Sequence, residues 1–195
     1  ELVRLHREAQ AVAYVEMGGF YDIRFADPRI STRQWTEDGV FHTRIESPSG
    51  AVEERRVFNE TSYSYAIEEF LLQRVEDFPV VIEAMESAYA EPRWERYHAW
   101  DEALGRYAYI YAQLPYSGLG YLISRNFGVE QTVYAFYDHP AETKTLVDAV
   151  NQCNLRILET IIDGPFETLI ISDNFDSNVQ TRELFNALSR DYYAE

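Results

Sequence analysis

The stretch Tyr109-Ile-Tyr-Ala-Gln-Leu-Pro-Tyr-Ser-Gly-Leu-Gly-Tyr121 decides how this chain is read. It is an apolar run that stops at a proline and opens into small and hydroxylated residues. That pattern predicts a buried strand over 107–114 feeding a ligand-facing loop. A second unit of the same design follows, where Thr168-Leu-Ile-Ile-Ser172 ends in Asp173-Asn-Phe-Asp-Ser177. Between the two, Asp138-His-Pro-Ala-Glu142 combines a capping residue, an early proline and a first-turn acid, which together start a helix. Leu146, Val147, Val150, Ile157, Leu158, Ile161 and Ile162 then recur at three- and four-residue spacing until Gly164-Pro165 ends the helix. Strand, helix, strand is the repeat of a parallel barrel. The expected class is therefore α/β, a partial TIM (β/α)8-type barrel with its clear β/α units over 107–195, in a single domain.

In such barrels the residues just past the C-terminal ends of the strands form the site. That rule singles out Tyr116, Ser117, Tyr121, Asp173, Asn174 and Asp176. The same spacing also fits an ordinary turn over 115–120 and an ordinary helix entry over 173–177.

Upstream, the spacing predicts a helix from Leu2 to about Met17, stopped by Gly18-Gly19. Between Ile30 and Val57 the period changes to two around the turns Glu37-Asp-Gly39 and Ser47-Pro-Ser-Gly50, as in successive antiparallel strands. Residues 30–57 thus read as an inserted β-meander, with strands at 33–35, 40–46 and 51–57. The pattern from Ile67 to Ala90 is helical with an interruption at Asp77-Phe-Pro79. A further helix is expected from Glu91-Pro92 to Leu104, ending at Gly105. Two short helices follow the Pro115 loop, split at Gly128. A last helix begins near Thr181 and continues to Glu195. The strand at 168–172, continuously apolar, is expected to be buried on both faces.

Composition narrows the function. Against 33 acidic residues stand 17 basic ones, a formal charge of −16, and Lys144 is the lone lysine. So acidic a chain offers no phosphate-binding field, which argues against nucleic acid and against anionic membranes. Cys153 is the sole cysteine, so no intramolecular disulfide and no Cys-rich zinc site can form within the sequence. Cys153, set in a helical pattern, is expected to pack as a small hydrophobe in a reduced, cytoplasmic protein, and no apolar run reaches the ~20 residues of a membrane span. The start, Glu1-Leu-Val-Arg-Leu-His-Arg-Glu, has neither an initiator methionine nor a signal-peptide core, and reads as cut from something longer.

The usual chemical signatures are missing: no glycine-rich phosphate loop, no His-Glu-x-x-His, no nucleophile elbow. His6, His42, His98 and His139 are scattered and read as surface or cap residues. Asp173 with Asp176 is a thin basis for a cation site, because two carboxylates lack the further oxygens such a site needs. Tyr107, Tyr109, Tyr111, Tyr116 and Tyr121 form a dense aromatic run, and Tyr121 falls just beyond the strand end, where its hydroxyl can reach a barrel mouth. An aromatic mouth of this kind suits a large flat organic ligand.

Gln113-Leu-Pro-Tyr-Ser-Gly-Leu-Gly-Tyr121 resembles the uroporphyrinogen decarboxylase superfamily, whose third barrel strand ends in a Gly-Ala-Pro-Phe/Trp-Thr-Leu-x-x-Tyr type motif. Pro115 falls on the motif proline and Tyr121 on its tyrosine. Tyr137-Asp-His-Pro-Ala-Glu142 looks like the family's Asp-x-Pro helix entry, Leu169-Ile-Ile-Ser-Asp173 like its fourth strand, and Leu184-Phe185 fits the helix after it. The resemblance spans roughly residues 20–195. It implies a TIM-type barrel with one of two chemistries. True decarboxylases are cofactor-free and hold a porphyrinogen with an N-terminal arginine motif, an Asp and the motif Tyr. The corrinoid-dependent methyltransferases move a methyl group between a cobalamin-bearing protein and an acceptor, using zinc held in the C-terminal half.

This chain departs from the decarboxylase pattern. The Leu-Met-Arg-Gln-Ala-Gly-Arg type motif is absent, and Asp173-Asn-Phe-Asp replaces the short acidic form after the fourth strand. The hairpin Ser47-Pro-Ser-Gly50 resembles the Thr-Pro-x-Gly hairpin of methyltransferase-type relatives. An octacarboxylate wants cationic clamps, and this mouth carries carboxylates and tyrosines instead. The resemblance therefore implies the methyltransferase-like branch first and the decarboxylase second. Tyr121 and Asp173 would be catalytic, with Tyr116, Ser117, Asn174 and Asp176 binding substrate. Partners would be a tetrapyrrole or a corrinoid protein, and zinc and a corrinoid would serve the parent protein, their ligands lying outside this segment. The alternative to both enzymes is an inactive half-barrel or tetrapyrrole-binding module, whose unpaired strand edge would drive self-association.

Overall fold

The computed structural model describes residues 1–17, 19–171, 173, 174 and 176–194. Helix α1 (Leu2–Ala9) stops early, where Gln10 turns left-handed and donates its N–H to the Arg7 carbonyl. The expected continuation to residue 17 is instead strand β1 (Ala13–Met17). Glu16 and Met17 favour helix, but Tyr14 and Val15 favour strand, and pairing with a neighbouring strand decides the outcome. After β2 (Tyr21–Phe25) comes a meander of four strands: β3 (Ser31–Glu37), β4 (Val40–Ser47), β5 (Gly50–Asn59) and β6 (Ser64–Glu69). Asp38 and Gly39 both take positive φ, which closes the β3–β4 hairpin in the sense that matches strand twist.

The helix expected from Ile67 onward begins only at Phe78. Residues 67–69 complete β6, a 3₁₀ turn (Val75–Asp77) follows, and α2 (Phe78–Ser87) carries Pro79 in its first turn. Pro79 thus opens the helix, because its missing N–H costs nothing there. Ala88–Pro92 forms β7, paired with β2, so Pro92 ends a strand and does not open the next helix. Helix α3 (Trp94–Leu104) ends at Gly105, which sits at φ 51. Strand β8 (Ala108–Leu114), the one-turn α4 (Gly118–Tyr121), a π-turn (Leu122–Asn126), α5 (Val129–Asp138) and α6 (Pro140–Ile161) follow as the sequence patterns indicate. Strand β9 (Leu169–Ile171) is short, and α7 (Arg182–Leu188) stops well before the expected end, with Glu195 outside the described residues.

The chain divides into two compact units. The first comprises Glu1–Arg24, Tyr89–Pro115 and Asn154–Ser172. Its sheet has the order β1-β8-β9, all parallel, with Tyr14 beside Tyr109 and Gln113 beside Ile170. One face packs Val15, Ile110, Ala112 and Leu169 against Phe20, Trp94, Tyr97 and Phe166. The other carries Tyr14, Tyr109 and Ile170, all exposed. The doubly buried strand expected at 168–172 is therefore an edge strand, with Ile170 and Ile171 exposed and Ser172 outside the described residues.

The second unit comprises Phe25–Ala88, Tyr116–Cys153 and Asp173–Glu195. Its antiparallel sheet runs β3-β4-β5-β6 in sequence order. Ile45 and Val52, cross-strand neighbours, join Phe78, Val81, Leu119, Leu122, Leu146, Val147 and Leu184 in one contiguous buried cluster. Cys153 is buried, as a small hydrophobe should be. The architecture is mixed α/β. Among the described residues no helix is long and apolar enough to cross a membrane.

Candidate functional site

The loop after β8 is held from three sides. Ser117 caps the single turn of α4, its Oγ accepting the Gly120 N–H at 3.2 Å, and it is fully buried. Its own N–H donates to Asp173 Oδ1 at 3.0 Å. The Gly118 N–H donates to Asn151 Oδ1 at 2.7 Å, and Asn151 Nδ2 reaches the Leu188 carbonyl at 3.4 Å. Both glycines are required by close approach: a Cβ on Gly118 would collide with the Val147 backbone, and one on Gly120 with the Asp173 carboxylate.

Asp173 is the centre of the arrangement. Its second oxygen accepts the Tyr193 hydroxyl, and the Tyr193 ring stacks on Phe185 with centroids 6.1 Å apart. Burial, and then the hydrogen bond to Asp173, push the Tyr193 phenol well above its ordinary value, so it remains a neutral donor. Asn174 is exposed. Asp176 serves its own turn: its Oδ1 accepts the Asn178 N–H at 2.8 Å, and its carbonyl accepts the Val179 and Gln180 N–H groups. The cap of α7 is Thr181, whose Oγ1 accepts the Leu184 N–H, so Asp173 is not spent on that helix.

Tyr121 packs against the core of the second unit. Its phenol is pushed well above the ordinary value by burial and, after that, by the negative charge of Glu54. Glu54 is buried on β5 and paired with Arg56 at 2.6 Å. The sequence carried a signal for this pair, since period two places Glu54 and Arg56 on the same face as buried Val52. A charge at a core-facing strand position is the anomaly that sequence reading passed over. Beside the loop, the Arg125 guanidinium lies over the Tyr116 ring, 5.9 Å from its centroid. Asn126, buried in the π-turn, donates to the Tyr121 carbonyl at 3.1 Å. A π-turn of this kind widens the helix locally and is frequent at functional sites.

The structure thus joins Ser117 and Asp173 with Tyr193, keeps Tyr116 and Tyr121 on the same loop with the Tyr121 side chain turned to the core, and leaves Asn174 and Asp176 exposed. His42 stacks on Trp35 at 4.7 Å and bonds Glu53, while His139 ends α5. Among the described residues no three His, Cys, Asp or Glu side chains gather as a metal site would require. The arrangement fixes the Asp173 carboxylate between the Ser117 N–H and the neutral Tyr193 phenol, while the Tyr121 phenol lies in the core beside Glu54. Compared with protein-family models, curated proteins and solved structures, the chain matches none.

Proposed function

We propose that the chain is a segment of a uroporphyrinogen decarboxylase-like barrel and that its parent is a corrinoid-dependent methyltransferase-like enzyme. The observation that carries this reading is the Asp173 to Ser117 hydrogen bond. It joins the residues that follow two adjacent parallel strands, where α/β proteins bind their ligands. The first unit's sheet supports the barrel. Parallel sheets are normally covered on both faces, and here Tyr14, Tyr109 and Ile170 leave one face open, as the inward face of an unclosed barrel would be. In this reading Asp173 and Asn174 would orient the acceptor or the corrin, Ser117 would anchor the loop, and Tyr116 and Tyr121 would border the ligand. Asp176 would contribute from the rim. The described residues do not fit a zinc site, so zinc would be held by residues other than these.

One observation favours the decarboxylase alternative. Arg125, on the turn after Tyr121, is a cation at the loop that could clamp a substrate carboxylate. Titrating the chain with methylcobalamin and, separately, with uroporphyrin separates the readings. The expected result is saturable quenching of tryptophan fluorescence by methylcobalamin, weakened in Asp173→Asn. Binding of uroporphyrin alone, lost in Arg125→Ala, would move the assignment to decarboxylation. Binding of neither would remove both.

A further inference from the structure

Within the second unit the meander has two outer strands, β3 and β6, and they differ in character. On the face that carries Ile45 and Val52, β3 presents Thr32, Gln34 and Thr36, whereas β6 presents Tyr65 and Ile67. Phe41, Phe58 and Tyr65 form a continuous ring strip there, with centroids 5.8 Å apart for Phe41 and Tyr65 and 5.4 Å for Phe58 and Tyr65. Tyr63 closes the strip edge-on against Phe58. The strip leaves the core as it nears the hairpin tip: Phe58 is 42% exposed, Tyr65 49% and Tyr63 85%. An outer strand with aromatic inner positions and no proline is open to pairing with another chain.

We infer that the β6 edge docks a second copy of this chain, antiparallel, about a two-fold axis at Ala66. The sequence of β6 is complementary to itself in that register. Ala66 meets Ala66 of the second copy, Tyr65 meets Ile67, Ser64 meets Glu68, and Tyr63 meets Glu69. No carboxylate faces another, and Glu68 and Glu69 share the Arg55 guanidinium at 3.0 and 3.3 Å, which leaves the trio one net negative charge. The aromatic strip of one copy continues onto Ile67 of the next, giving the centre the tyrosine and phenylalanine composition of a stable contact. A shift by one residue would set Tyr65 against Glu68 and turn the apolar positions to opposite faces. Such a contact closes on itself, as two-fold dimers do. Each copy carries −16, so the long-range field opposes association and added salt should strengthen it.

Sedimentation of the whole chain across a range of concentrations, at low and high salt, tests the edge. The expected result is a concentration-dependent dimer, favoured by salt, that becomes a monomer in Ala66→Lys, whose melting temperature should match that of dilute, monomeric wild type, since Ala66 is exposed. Ile170→Lys, on the open β9 edge of the first unit, should leave the dimer intact. A second variant guards against misfolding: Ala66→Cys, treated with oxidised glutathione, should give a disulfide-linked dimer on a non-reducing gel, while Cys153 stays buried and unreacted. A wild-type monomer at every concentration, a dimer that survives Ala66→Lys, or a failure of Ala66→Cys to cross-link would each overturn the assignment.

Discussion

The first unit builds a parallel sheet around one ring, whereas the second builds an antiparallel sheet over a broad aliphatic core. In the first, Phe20 is fully buried and touches Trp94, Tyr97 and Phe166, lying parallel to the last at 6.0 Å. In the second, apolar side chains from the sheet, α2, α4, α6 and α7 share one cluster. The difference teaches that a small unit can concentrate its cohesion in one residue, while a larger one spreads it. The largest expected effect follows. Phe20→Ala should cost about 3–5 kcal/mol, and hydrogen exchange should show it as lost protection in β1, β8 and β9 with the meander still protected. Equal loss of protection in both sheets would erase the comparison and make the two units one cooperative system.

The next effect probes the second unit. Gly118→Ala inserts a methyl group against the Val147 backbone, which cannot move as a side-chain tip can. The expected cost is about 1–3 kcal/mol, the range for overpacking a filled site, read from a denaturant midpoint at unchanged slope. An unshifted midpoint would mean that the turn at Ser117 is looser than its hydrogen bonds indicate.

The two units also differ in how much of them the sequence disclosed. Three strands of the meander, β3 to β5, were legible because they alternate between clear turn signals, Asp38-Gly39 and Ser47-Pro-Ser-Gly50, and register follows from turn geometry, whereas β6 was not, since the pattern from Ile67 reads as helical. Strand β1 was not, because Ala13-Tyr-Val-Glu-Met17 is short and follows a true helix without a break. Its strand state comes from pairing with β8, which lies far along the chain. Ala88–Pro92 misleads for the same reason, being rich in Ala and Glu and yet paired with β2. At the loop site, Ser117 and Asp173 could be proposed from strand ends. Tyr193 could not, since it reaches Asp173 only through the turn that follows α7.

Tyr193 gives a smaller, alkaline effect. Its phenol is held above the ordinary value of 10.0, so the folded state keeps a proton that the unfolded chain releases. Stability from this group is complete below the ordinary phenol value and declines as pH rises past it. Melting temperatures taken from about pH 8 to 11 should fall less steeply in Tyr193→Phe than in wild type. Tyr121, raised chiefly by burial, keeps the remaining slope, and Tyr121→Phe should remove part of it. Identical slopes in all three proteins would detach both phenols from alkaline unfolding.

The smallest effects lie at the acid end and oppose the units directly. In the first, Asp22 is lowered by a hydrogen bond from Arg93 at 2.8 Å and, to a lesser degree, by Arg96 at 2.9 Å. In the second, Asp27 is lowered to about 2 by the Arg29 guanidinium and backbone N–H. Both carboxylates have folded values below the ordinary 3.8, so the stability they lend is present above that value and is lost as pH falls through it toward the lowered one. Both pairs meet solvent, so salt should shrink the contribution. Yet the pairs are not equivalent. Asp22 ties β2 to two arginines distant in sequence, whereas Asp27 bonds a residue two positions away, a contact the unfolded chain can also form. Asp22→Asn should therefore flatten the acid limb of the first unit's unfolding, followed by hydrogen exchange of β1 and β8, more than Asp27→Asn flattens that of the meander. If Asp27→Asn gave the greater change, the local pair would be absent from the unfolded state and the contrast between near and distant partners would fail.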